Sequence, residues 1–309
     1  MKKPLAYSLL LLISACAERQ VVVRTSSSAD AAGYAAAYPE RIAERTATLK
    51  TDAQKARSLN AELAGRDRDL PADVDSELLL AIVEAADKTG RSEAYVAADH
   101  EARTVRGFWE EERGVIVGRA TNAAQKQATD AGCPQELDVG PQLSHAVKDG
   151  IEKQLEKRLR ESSEASRILE AHKAALGPAN AQRIQKVADD VTYASYLVNV
   201  AVVEDRDSIE HLNRERGDVE SALRRALEDE QHFREHIAKT PAEKRVSEER
   251  TARLEKSRVA LAPEGAKAEA AVRDLDPAVQ QARDEYENAL QKLLDALRAR
   301  RDKSAQRSH

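Results

Sequence analysis

The residues best spaced for chemistry are His232, Glu235 and His236, in the run His232-Phe233-Arg234-Glu235-His236. Positions four apart on a helix share a face. Both imidazoles would then point the same way and could share one zinc ion, with the Glu235 carboxylate beside them as a general base. That is the equipment of a metal-assisted hydrolase. Such a centre needs a third protein ligand, and the nearest late acidic candidates are Glu285 and Glu287. His211 stands three heptads before His232, about 30 Å away along a straight helix, and cannot join the pair.

The run resembles the H-x-x-E-H motif of the inverzincin metalloproteases. That resemblance implies a downstream glutamate ligand and a mixed α/β fold, and no run of alternating strand residues is present here. Phe233 and Ile237 instead fit the apolar seam of a charged helix, with the histidines beside it. Di-iron bundles use Glu-x-x-His pairs, but no histidine has a glutamate three residues before it; Asp229 before His232 comes nearest. Walker A, G-x-S-x-G, G-x-G-x-x-G and Cys-x-x-Cys patterns are missing. The expectation is therefore a protein without enzymatic activity, with no catalytic residue, no cofactor and no resident metal.

Cys16 offers a different chemistry. The chain opens with Met1-Lys2-Lys3 and continues through an apolar stretch, Leu5 to Ile13, too short for a bilayer span of about 20 residues. The junction Ile13-Ser14-Ala15-Cys16 resembles the lipobox of bacterial lipoprotein precursors. The resemblance implies that the Cys16 thiol takes a diacylglyceryl group, that residues 1–15 are cleaved as a signal peptide, and that the new amino terminus is acylated. Several chains give firm attachment where one would be marginal. In enteric-type bacteria Asp after the cysteine favours inner-membrane retention; Ala17 implies the outer membrane, facing the periplasm. The second cysteine, Cys133, lies in the loop-like run "DAGCPQELDVGP". With Cys16 lipidated it has no intramolecular partner, so no disulfide framework is expected.

Composition sets the architecture. One third of the residues are charged, 3% are aromatic, and the formal net charge is −5. Loss of residues 1–15 removes two lysines and leaves −7, which excludes a general nucleic-acid affinity. A mixture dominated by Ala, Glu, Lys, Leu and Arg belongs to long helices. Prolines and glycines predict helices near 40–66, 73–89, 91–130, 141–176, 179–239, 242–261 and 277–302. The clearest start is Thr240-Pro241-Ala242-Glu243, a capping box with Pro at the first helical position. Asp276-Pro277 repeats the cap-then-proline pattern, and Leu176-Gly177-Pro178 is a stop.

Within these helices the apolar residues form seams. Leu143, Val147, Ile151, Leu155 and Leu159 recur every four positions. Val191, Val198, Leu212, Val219, Ala226 and Phe233 share a heptad position, with Val202, Ile209, Leu223 and Ile237 four later; Asp205, Arg216 and Glu230 interrupt. Val279, Tyr286 and Leu293 pair with Ala282, Ala289 and Ala296. A helix over 179–239 would be about 90 Å long and needs a partner along its length, for which the turn at Gly177 supplies 141–176 as an antiparallel arm. Expected i,i+4 pairs are Glu156–Arg160, Glu220–Arg224 and Glu249–Arg253. The fold class expected is all-α, an elongated antiparallel bundle of coiled-coil-like helices with short Pro/Gly turns. In domain terms, residues 16–37 form a lipidated cysteine and flexible spacer, 38–302 the helical region with sub-divisions near 131–141 and 240, and 303–309 a disordered tail.

"RGFWEEERGVIVGR", residues 106–119, holds the single Trp and one of two Phe, read as core filler ahead of an exposed binding patch. The basic tail over 297–309 suits a helix C-terminus. The expected function is a lipid-anchored, non-enzymatic helical scaffold, spacer or adaptor of the bacterial envelope, contacting the membrane through its anchor and a protein partner or second copy through helical faces. The alternatives are the zinc hydrolase above and a subunit of an envelope transport or secretion assembly.

Overall fold

The computed structural model describes residues 28–130 and 140–307. Every regular element among them is helical, so the all-α helical-bundle expectation holds. The elements are α1 (Ser28–Leu63), a 3-10 turn (Arg66–Arg68), α2 (Ser76–Gly90), α3 (Glu93–Asp130), α4 (Gly140–Glu161), α5 (Glu164–Tyr196), a π turn (Leu197–Ala201), α6 (Val202–His232), a second π turn (Phe233–Ile237) and α7 (Pro241–Arg307). They form two compact units, one of described residues 65–196 and 291–307, the other of 28–64 and 197–290.

In the unit built on residues 65–196, α2 packs against α5. Leu79, Ile82 and Val83 of α2 and Ile184, Val187 and Val191 of α5 are buried at the centre, each such side chain contributing about 1.5–3 kcal/mol. α2 starts where the Asp75 side chain accepts from the Glu77 N–H at 3.1 Å. α5 is a hairpin. Gly177 breaks it with φ of +73°, a left-handed value that favours glycine, and Gln185 Nε2 donates to Ser166 Oγ at 3.1 Å between its arms. α4 lies antiparallel along α3, clamped by Arg106–Glu152 at 3.0 Å and by Arg158–Glu101.

The other unit is three helices. α6 and α7 run antiparallel, as Arg206–Asp276 at 3.4 Å, Asn213–Glu269 at 3.0 Å and Ser247–Glu230 at 2.7 Å successively show. α1 completes the unit alongside them. Its Tyr34 hydroxyl donates to Glu215 at 3.0 Å, and Asn60 Nδ2 donates to the Ala282 carbonyl at 2.7 Å. The core joins Tyr38, Leu49, Ile209, Leu223 and Leu261.

Several sequence expectations change. α1 begins at Ser28, so 28–37, expected in the spacer, are helical; alanine-rich sequence favours helix, and Ala31, Tyr34, Ala35 and Tyr38 are buried as one stripe running through Pro39. α7 continues through Pro263 and Pro277, which were expected to mark breaks. An internal proline costs about 3 kcal/mol, but buried Leu254, Leu261 and Ala268 hold one seven-residue spacing across Pro263. At Asp276-Pro277 the expected cap is absent, and Asp276 pairs with Arg206. The expected single arm 141–176 divides at Ser162-Ser163, where Ser163 Oγ accepts from the Ser166 N–H at 3.2 Å. Only its second part folds back at Gly177; the first lies on α3. Residues 303–307, expected in the tail, continue α7. The carboxylates of Glu220 and Glu249 pair with Arg216 at 2.9 Å and Arg245 at 3.7 Å, while Arg253 donates to the Glu249 backbone carbonyl at 3.4 Å.

Candidate functional site

The His232, Glu235 and His236 side chains sit where α6 gives way to a five-residue π turn, and all three are exposed. The imidazoles stack, with ring centroids 4.6 Å apart and planes 17° apart. His236 Nδ1 lies 3.3 Å from the His232 carbonyl oxygen. Glu235 accepts from Gln231 Nε2 at 2.9 Å.

The expected third ligands lie elsewhere. Glu285 pairs with Arg57 at 3.2 Å, and both it and Glu287 are on α7 more than 40 residues beyond Pro241, roughly 65 Å along the helix. Among the described residues no three His, Cys, Asp or Glu side chains come together to hold a metal ion. What is assembled is a stacked pair of imidazoles open to solvent. Nor is Ile237 a seam residue. It is 52% exposed, because the π turn rotates it off the stripe and Ala238 is extended.

The polar interruptions of the α6 seam have structural partners. Arg216 hydrogen-bonds Asn213 at 3.0 Å and Glu220 at 2.9 Å and lies across Gly265, where no side chain projects. Glu230 accepts from the buried Ser247 hydroxyl. Asp205 is buried. Such residues fix which turn of one helix meets which turn of the next.

A polar cluster that the sequence reading missed links α1 to α6. Glu215 receives the Tyr34 hydroxyl at 3.0 Å, His211 Nε2 at 3.2 Å and Arg41 at 3.8 Å, and the Arg41 guanidinium stands 5.1 Å from the Tyr34 ring centre. Burial, then the Glu215 carboxylate, pushes the Tyr34 phenol well above its ordinary range. The next turn of α1 carries Tyr38, fully buried, with no hydrogen-bond partner for its hydroxyl. The spacing Tyr34, Tyr38, Ile42 was the available signal, obscured by reading 16–37 as a spacer.

The aromatic run on α3 is split. Trp109 is buried and fills core, whereas Phe108 and Val115 are about half exposed. Between α4 and α5 lies an open groove of about 1380 Å³. Its lining mixes seven basic side chains with five acidic ones, among them Arg160, Arg167, Arg183 and Lys186 against Asp189 and Asp190. Cys16, the signal segment and Cys133 lie outside the described residues. No described helix is long and apolar enough to cross a membrane.

No protein-family model, curated protein or solved structure matches the chain.

Proposed function

We propose that this chain is a lipid-anchored protein of the bacterial envelope, held in the outer membrane facing the periplasm, and that it acts as a non-enzymatic helical scaffold, spacer or adaptor. The observation carrying this reading is the junction Ile13-Ser14-Ala15-Cys16, preceded by Lys2, Lys3 and a short apolar run. Twelve residues after Cys16 the first described helix begins. The arrangement of that helix supports the scaffold part: its tyrosines and Asn60 are spent on tying α1 to α6 and α7, not on a cleft.

The test is growth with a radiolabelled fatty acid, followed by membrane fractionation. The wild-type chain is expected to carry label and to sediment with outer membranes, and Cys16→Ala to lose both. Label that persists in Cys16→Ala would overturn the anchor. Zinc bound in equimolar amount by the purified protein and lost in His232→Ala would replace the scaffold reading with the hydrolase.

A further inference from the structure

Within the described residues the helical pair α6–α7 extends beyond α1. Tyr34 reaches Leu212 and Glu215, and Ala31 belongs to the same buried cluster as Leu223 and Leu254. Arg41 also reaches Glu215, at 3.8 Å, so Ser28, the first described residue of α1, stands level with about Arg225 on α6. From there α6 and its π turn continue to Ile237, roughly 18 Å further at 1.5 Å per residue. Across residues 224–253 the only buried side chain is that of Ser247.

The end of this hairpin has a chemistry of its own. Ile237 is 52% and Val246 42% exposed, and Phe233 is half-buried. Around them stand Arg234, Lys239 and Lys244, with Arg245 paired to Glu249 at 3.7 Å, against Glu235 and Glu243 within residues 232–246. Both carboxylates are engaged. Glu235 accepts from Gln231, and Glu243 accepts from the Thr240 and Lys239 N–H groups at 2.9 Å in the helix cap. Lys239 and Lys244 have no carboxylate partner among the described residues. A locally basic tip with exposed aliphatic side chains, on a chain of net charge −5, matches an anionic lipid surface.

We propose that the tip of the α6–α7 hairpin, residues 232–246, rests on the membrane surface, with Ile237 and Val246 in the headgroup boundary and Lys239 and Lys244 on anionic phospholipid phosphates. This rests on the Cys16 anchor set out above. The twelve residue steps from Cys16 to Ser28 reach at most about 40 Å, more than the hairpin's overhang, so an anchored Cys16 and a seated tip are compatible. The anchor also raises the local lipid concentration seen by the tip, so a modest charge excess suffices.

The test uses the full-length lipidated protein in vesicles of brominated phosphatidylcholine, with or without phosphatidylglycerol. Tryptophan reporters are placed by Ile237→Trp and, as a control about 22 Å from the tip, by Val259→Trp, a position 66% exposed. Their signals are read as differences from the parent, whose single Trp109 is buried. The Ile237→Trp signal is expected to fall by about half on phosphatidylglycerol vesicles, to recover in high salt, and to recover when Lys239→Glu and Lys244→Glu are added. The Val259→Trp signal stays unquenched. Protein that floats with vesicles while Ile237→Trp is unquenched overturns the tip contact and leaves the anchor standing. Quenching at Ile237→Trp with no acyl chain on Cys16 upholds the tip and overturns the anchor. An Ile237→Trp emission shielded equally with and without vesicles, and unquenched, assigns the tip to the chain's own residues 16–27 and overturns the proposal.

Discussion

Gly90 at the end of α2 lies against Thr192 and Ser195 of α5 so closely that a methyl group has no room. A Cβ at position 90 would meet the Thr192 carbonyl oxygen, and would stand 2.7 Å from Ser195 Cβ and 2.8 Å from the Tyr196 nitrogen. Two of these atoms are backbone and cannot swing aside. The hydroxyls of Thr192 and Ser195 use the same approach, donating to the Ala86 and Asp87 carbonyls at 3.2 and 2.9 Å. Gly90→Ala is expected to cost about 1–3 kcal/mol. Gly265→Ala meets only the flexible Arg216 guanidinium; helix propensity favours Ala by about 1 kcal/mol, and the net change should be near zero. Urea melts of the two variants separate these outcomes, and equal losses would contradict the packing account.

Leu223 and Ile237 share one heptad position in the sequence but not in the structure. Leu223 is fully buried and Ile237 is half exposed. Leu223→Ala should destabilise by about 2–5 kcal/mol, and Ile237→Ala by less than about 0.5 kcal/mol. Denaturant midpoints check this directly.

Acid should loosen α4 from α3. The Arg106 hydrogen bond holds the Glu152 carboxyl below the usual carboxylate range. A lowered folded pKa means that the contribution is complete above the unfolded Glu value, about 4.3, and disappears as pH falls through the folded value. The pair is one third or more exposed, so at most about 1 kcal/mol is at stake. Stability measured between neutral pH and acid should fall less steeply in Glu152→Gln than in the wild type.

Alkali acts on Tyr34 with the opposite sign. Its raised folded pKa makes the protonated phenol the stabilised form, so its contribution is present below the ordinary phenol value of about 10 and is lost as pH rises beyond it. Tyr34→Phe should cost about 1–3 kcal/mol at neutral pH, through the lost hydrogen bond to Glu215. It should also flatten part of the alkaline loss. Tyr38, likewise raised by burial, carries another part. Circular-dichroism melts across the alkaline range read both effects.

Seam periodicity and the strongest caps were legible in the sequence. Val191, Val198, Leu212 and Val219 are all buried as expected. The Thr240–Glu243 box forms with both reciprocal hydrogen bonds, because each element of that signal is local. Proline was the misleading sign. At Pro263 a local penalty is outweighed by leucines that pack against α1 and α6, and that sum is invisible to a window of a few residues. The break at Ser162-Ser163 went unseen because the four-residue stripe continues through Leu159 and no Gly or Pro interrupts it. For the histidine pair, spacing correctly placed two imidazoles together, while the absence of a third nearby ligand among the described residues is a matter of tertiary arrangement. The Glu215 cluster was hidden for a related reason, since Tyr34 and Glu215 are separated by 181 residues.

The central claim is the fate of Cys16, and the intact mass of the protein extracted from membranes tests it most directly. The account predicts a chain that begins at Cys16, lacks residues 1–15, and is heavier than its polypeptide by a diacylglyceryl group and an amide-linked acyl chain. A 309-residue chain, or a processed chain with an unmodified Cys16, would contradict it.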